Sequence, residues 1–534
     1  MKTSVLLTMP GLAAVAGTAV FLGQLEARAY PGDLHLARSP APAAPAGFPG
    51  PCGGTPAPAA GPDLIVCRIG GSTGTDFQEH TTVGGISAYA LGTTSCNNGD
   101  TLLFWIDNGP NDDQHPVIAQ NLFRLANGRF EQLGMSWLKH GFCAADAQAC
   151  SSCSPDAACD VLQIGCSDTY GSSINGNAIF LGPRSEVNPV SGAFPFPHGA
   201  PSGANAGRLH VALADLDPAL NPGAKYFGES QYITPDDAGT ANAHNNNTYR
   251  EVVVGSFAGG IYKLSFSGPV MQQEPAINAW QAQDPAVQLT AIDVPSDGRF
   301  ILGHRATDNG DGTWHYEYAL LNMNSHRAGQ SFTVPVGTGV TVSGNGFHDV
   351  DYHSGDGEGG VNFDGTDWSF AEGPGAVGWS TDPIAVNVNG NALRWGSLYN
   401  FRFDADGPPE SVTATIGLFR AGSPGEVTVT TVGPAGLAPC PWDCGDGDGT
   451  VGIVDFLALL GEWGSTGGPC DLGLGAPGVG IEEFLDLLGN WGPCPGSRAR
   501  HERQGLLGGA EPGCHGRARG AVESRRRSPR RPRA

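Results

Sequence analysis

Residues 346–360, GFHDVDYHSGDGEGG, hold the densest group of side chains able to do acid–base or metal chemistry. On an extended strand, alternation puts Asp349, Asp351 and His353 on one face and Val350 and Tyr352 on the other. Two carboxylates and an imidazole at that spacing can bind a metal or exchange protons with a substrate. A solvated polar strand face carries the same residues, and that plainer reading is the expectation. In a second acidic stretch, CGDGDGTVGIVDFLALLGEWG (444–464), Asp446 and Asp448 alternate with glycines ahead of Asp455 and an amphipathic helical pattern. Calcium, a hard cation taking roughly six to eight oxygens, suits such a loop. HRATDNGDGTWHYEY (304–318) imitates it through Asp308, Asn309 and Asp311, but has neither a closing carboxylate nor a following helix, and reads as a hairpin turn. SWLKHGF (136–142) sets Lys139 and His140 beside Trp137, with His115 upstream and Arg184 and Glu186 downstream. For these an ion pair and stacked aromatics are expected rather than a pocket. The sequence contains no G-x-S-x-G, H-E-x-x-H or P-loop pattern.

The elements that must position these residues are β-strands. Gly 81 and Pro 41, with 15% charged residues, point to turn-rich β structure, and 534 residues allow about three or four domains. Runs such as LIVCRI, TLLFWID, RLHVALADL and REVVVGSF, broken by Gly, Asn and Asp, define a β-rich region over 63–270 with a disulfide-rich segment. Asn127-Gly128 between two alternating runs predicts a hairpin with a type I′ turn. RFILGHRAT, WHYEYALLNM, QSFTVPV, ALRWGSLYNFRFD and SVTATIGLFR predict an antiparallel sandwich-like domain over 285–433, with the boundary between the two somewhere in 268–285. Trp and Tyr among these strands suit a sugar-binding platform or a core, and core is the expectation. The fold class is therefore mainly β: antiparallel sandwich-like regions, then a small helical module.

The ends and the cysteines speak to compartment. Residues 1–29 read as a signal peptide cut after Ala27-Arg28-Ala29, and no later stretch is apolar enough to span a bilayer, so no transmembrane segment is expected in the mature chain. Residues 30–62 form a Pro/Ala-rich linker. In an oxidising compartment the 13 cysteines are expected as disulfides, eight within 52–166 and four within 440–494, with Cys514 left over. Zinc at Cys150-x-x-Cys153 matches no familiar spacing. The tail, 496–534, holds 11 Arg and 3 Glu, so residues 1–495 carry 18 basic against 49 acidic groups, a net −31. A body that acidic excludes nucleic-acid binding through phosphate contacts. The tail reads as disordered or as an out-of-frame extension.

After Pro434 one pattern occurs twice, 28 residues apart: VDFLALLGEWG (454–464) and EEFLDLLGNWG (482–492). Two such helices pack on each other, since neither buries its apolar face alone. This stretch, 438–495, resembles the dockerin-type, EF-hand-like repeats of bacterial secreted proteins. The resemblance implies a twelve-residue calcium loop with Asp446 and Asp448 as ligands, Thr450 through its carbonyl, and Asp455 as the closing carboxylate. Cys444 stands at the first ligand position, with Asp443 one residue earlier. In the second copy Leu472, Leu474 and Ala476 replace carboxylates, leaving Asp471 and Glu483, so no calcium is expected there. A Cys470–Cys494 disulfide is expected to brace that copy instead. The resemblance further implies attachment to a cohesin-like or cell-envelope protein and an extracellular or cell-surface location. The expected function is a non-catalytic structural or binding protein with a calcium-stabilised attachment module. The alternative is a polysaccharide-active hydrolase tethered by the same tail.

Overall fold

The alternating runs become antiparallel ladders, and strand dominates helix throughout. A computed structural model describes residues 59–494 except 108–111, 157, 204, 206, 437–439, 448 and 476. The signal peptide, most of the linker, Asp448 and the basic tail lie outside the described residues. Among the described residues no helix is long and apolar enough to cross a membrane.

The first β region is built on a long sheet in the order Leu181–Gly182, Leu138–His140, Val117–Ala126, Lys225–Ile233, Asn247–Ala258, Ile261–Gln272. Arg129–Met135 folds back on Val117–Ala126 through Asn127 (φ 52°) and Gly128 (φ 79°), two positive values as a type I′ turn requires. A three-stranded sheet of Leu64–Ile69, Thr93–Asn97 and Ser167–Tyr170 carries the disulfide-rich segment. TLLFWID yields only the pair Leu103–Phe104, because Trp105 is fully buried in the neighbouring core instead of extending the strand.

The second region is a sandwich of two five-stranded sheets. Its core is aromatic: Tyr318 and Phe401 from one sheet meet Phe332 and Trp379 from the other, with centroids 4.9 to 5.5 Å apart. The strand tryptophans and tyrosines are core, as expected. A further cluster joins the regions, with Phe123, Phe130 and Phe227 packing on Trp280, Ile301, Leu321 and Leu398. The segment 268–285 is therefore no free linker. It contains the helix Asn278–Gln283, whose Trp280 is sealed in that shared core.

The C-terminal repeats form two nine-residue helices, Ile453–Gly461 and Ile481–Gly489, as their periodicity predicts. Leu459 and Leu487 pack with Val451, Val479 and the cysteines, and Phe456 packs against Phe484 with the rings tilted and their centroids 5.7 Å apart. A two-residue ladder pairs Thr450 with Pro493 and Val451 with Gly492. So small a core is normally reinforced covalently, and here Cys440–Cys494 and Cys444–Cys470 do so. The expected Cys470–Cys494 pair does not form: each cysteine of the second copy is bonded to one that precedes the first helix.

Candidate functional sites

Both repeat helices start in the same way. A glycine precedes each first turn, and the carboxylate three residues on accepts its N–H: Gly452 to Asp455 at 2.7 Å and Gly480 to Glu483 at 2.9 Å. The second oxygen of each carboxylate accepts a loop N–H, from Gly445 and Leu474 respectively. The loops differ. In the first, Asp443, Asp446 and Asp455 each bring a carboxylate oxygen within 4.8 Å of the other two. In the second, Asp471 and Glu483 remain, and Asp471 is occupied by the N–H groups of Gly467 and Gly473.

The one-residue offset seen in the sequence is resolved by the chain. Cys444 is committed to Cys470, and Asp443 turns into the loop, where Gly449 donates to its Oδ2 at 2.7 Å. Asp443, outside the strict twelve-residue register but one residue from its first position, is the candidate that a distorted loop entry would bring in, and its carboxylate does lie with those of Asp446 and Asp455. Thr450 sits in the ladder beside the loop, and Asp448 lies outside the described residues.

The outer faces of the helices also correspond. Ile453 and Ile481 are 59% and 58% exposed, Leu457 and Leu485 58% and 59%, Leu460 and Leu488 43% and 44%, and Trp463 and Trp491 both 49%. The helical residues lie at i, i+4 and i+7, one stripe per helix. Residues 440–494 contain nine acidic side chains and no Lys or Arg.

The β body treats its polar groups differently. The strand Val342–His348 ends before the Asp349–His353 trio, so the alternation that would align them does not apply. Asp349 is held by the Asn391 amide, Asp351 is exposed, and His353 turns inward with its Nε2–H donating to the Met135 carbonyl at 2.8 Å. All three line a cavity of about 120 Å³, but their ligating atoms do not converge as a metal site requires. Burial lifts the Asp349 carboxyl to about 6 and drives His353 down to about 3. A second cavity of about 250 Å³ opens beside His353 and His210, whose ring centroids lie 3.9 Å apart.

The residues around SWLKHGF do come together, as a buried cluster. His115 Nδ1 donates to the Ile106 carbonyl at 2.9 Å, which leaves His115 Nε2 to accept from His140 Nδ1 at 3.0 Å. His140 stacks on His198 at 4.3 Å, a partner that its place in a proline-rich loop did not suggest. Burial depresses all three imidazoles, His115 to about 4, and holds them neutral. The stacking was expected; an Arg184–Glu186 ion pair does not form. Arg184 instead donates to the carbonyls of Ser136, Gln120 and Gly396, tying the two β regions. The 304–318 stretch is a hairpin turn, with Asp308 and Asp311 accepting from Gly310 and Thr313. Five disulfides join described cysteines, all within the two expected groups, and Cys67 is disulfide-bonded as well.

Set against known proteins, the chain matches no family model and no curated sequence.

Proposed function

We propose that this chain is an exported, non-catalytic β protein held at the cell surface or in the extracellular matrix by its C-terminal helical pair. The observation that carries this reading is the matched exposure of Ile453/Ile481, Leu457/Leu485, Leu460/Leu488 and Trp463/Trp491. Exposed apolar stripes of that size are uncommon on a chain that works alone. Their acidic, lysine- and arginine-free surroundings suit a protein partner of cohesin-like or envelope type that presents an apolar face with a basic rim.

Calcium is the proposed cofactor of the first loop. Three carboxylates gathered within 4.8 Å repel one another, and a divalent cation removes that cost. Asp443, Asp446 and Asp455 retain lone pairs beyond the N–H groups they accept, so the donor set fits an oxygen-seeking ion. Asp448 and the Thr450 carbonyl complete the proposed set. The second loop has no such group and is held by hydrogen bonds, a disulfide and the packing of Val479.

Calorimetric titration of the full chain tests the cofactor: one calcium is expected for wild type and none for Asp443→Ala/Asp446→Ala. Retention on the envelope fraction of the producing cells tests attachment, with Leu457→Asp/Leu485→Asp expected to release a protein that still folds. Equal retention of both forms would sink the docking face.

A second reading, a polysaccharide hydrolase, draws on Asp349, whose raised pKa and position on the cavity with Asp351 suit a general acid. Loss of glycan cleavage in Asp349→Asn, with the fold intact, would favour it over the first.

A further inference from the structure

The sequence has four lysines, and one of them, Lys139, is 1% exposed at the centre of the first β region. Lysine is almost never buried without a partner. Among the described residues its Nζ has no hydrogen-bond acceptor and no ion pair, though the Asp168 and Asp107 carboxylates are near enough to act on its charge; it rests 2.8 Å from the Tyr170 ring centroid, with Phe142 at 4.3 Å. Asp168 lies two residues from Tyr170 on the strand Ser167–Tyr170, so both side chains leave the same face about 6.6 Å apart. Asp168 is as buried as Lys139. Its Oδ1 accepts the Ala145 N–H at 2.9 Å; its Oδ2 meets no hydrogen-bond geometry among the described residues, with the Tyr170 side chain close by. Two orphaned ionisable groups facing one apolar chamber are costly as separate charges.

We propose that Lys139 and Asp168 condense into an intramolecular amide that staples the strand Leu138–His140 to the strand Ser167–Tyr170. The lysine side chain swings from the Tyr170 ring to the carboxyl, and Nζ attacks Cγ. The Ala145 N–H stabilises the charge that develops on Oδ1. The Cγ–Oδ2 bond breaks, and the hydroxyl leaves as water with one amine hydrogen. Neutral amine plus protonated acid gives amide plus water, so no oxidant, reductant or activated donor is needed. Burial favours both reacting forms, lowering the Lys139 amine well below its ordinary value and lifting the Asp168 carboxyl to about 6. Confinement supplies the effective concentration, and exclusion of water disfavours the reverse reaction.

Tryptic mapping of the reduced, denatured full-length protein decides the matter. No Lys or Arg lies between Lys139 and Arg184. A free Lys139 is cut, giving separate peptides 130–139 and 140–184; the amide blocks that cut and gives one peptide, 130–184, lighter by one water. Asp168→Asn is expected to yield the same linked peptide by releasing ammonia, and Lys139→Arg to abolish it. Cleavage after Lys139 in wild-type protein that was folded before denaturation overturns the proposal, as does water loss confined to peptide 140–184. The wild-type map stands even where a variant fails to fold.

Discussion

In the β body Lys139, His140, Arg184, His353 and Asp356 are all buried, while most of the large apolar side chains fill shared cores. In residues 440–494 the arrangement is reversed: Ile453, Leu457, Trp463 and their counterparts face outward, and the core is reduced to a few aliphatic residues around two disulfides. The body invests its polar groups in specifying how two β regions lock together. The helical pair keeps only enough core to hold its shape and turns the rest of its apolar surface outward. In the proposed reading, that division gives recognition to the small module and stability to the large one.

The comparison breaks most visibly at the covalent bonds. Cys444→Ser/Cys470→Ser removes a crosslink spanning 26 residues and is expected to cost the module about 3 kcal/mol, unfolding its helices while the β body stays folded. Limited proteolysis should then release an intact body. Loss of both parts together would show that the two are not energetically separate.

Protonation distinguishes the parts next. His353 titrates near 3 when folded and near 6.5 when unfolded, so the stability it contributes is present above 6.5 and is lost as pH falls. The advantage of wild type over His353→Gln in chemical denaturation is expected to shrink by about 2 kcal/mol between pH 7 and pH 5. Asp237, lifted to about 7 by burial, runs the other way: its contribution is present at low pH and lost as pH rises through 7. Residues 440–494 contain no histidine. Their Glu483, held below its ordinary 4.5 by backbone N–H groups, loses its contribution only as pH falls below that value. Helical signal from the module should therefore be flat across pH 7 to 5.

Within the module the two loops provide a finer contrast. Asp455→Ala deletes a carboxylate that accepts two N–H groups and should cost about 1 kcal/mol through lost capping alone. With calcium present it should cost more than Glu483→Ala, and a chelator should erase the difference. Equal costs at all calcium concentrations would remove the cation from the first loop.

The smallest effect is expected on the outer faces. Leu457→Gln/Leu485→Gln should change stability by no more than about 0.5 kcal/mol in denaturant titration, whereas Leu459→Ala, at a buried site, should cost several times that. A large loss from the outer pair would mean that those leucines are covered by another part of this chain.

Much of the fold was legible in the sequence because strand alternation, turn chemistry and the helical repeat are local signals. The Asn127-Gly128 hairpin, the sandwich strands and the two helices all follow from them. What was not legible depended on distant parts of the chain. Asp349 and His353 share a face only if the strand continues, and it ends at His348. Trp105 was assigned to a strand from its neighbours, yet the core claims it. Asp443 was displaced by one residue on paper but enters the loop in space, because the Cys444–Cys470 bond settles which side chain turns inward. The burial of Lys139 has no local signature, since a lysine beside a tryptophan and a histidine reads as surface.

The Cys440–Cys494 bond brings the two ends of the helical module to Cα atoms 5.8 Å apart. Between Cys440 and Cys494 the module is then a covalently closed ring, joined to the β body on the Cys440 side. In the proposed docking, a load applied on the helices reaches the β body at Cys440 through both arms of that ring and not through the two helices in series. Pulling then loads the ring as a unit and does not peel one helix from the other.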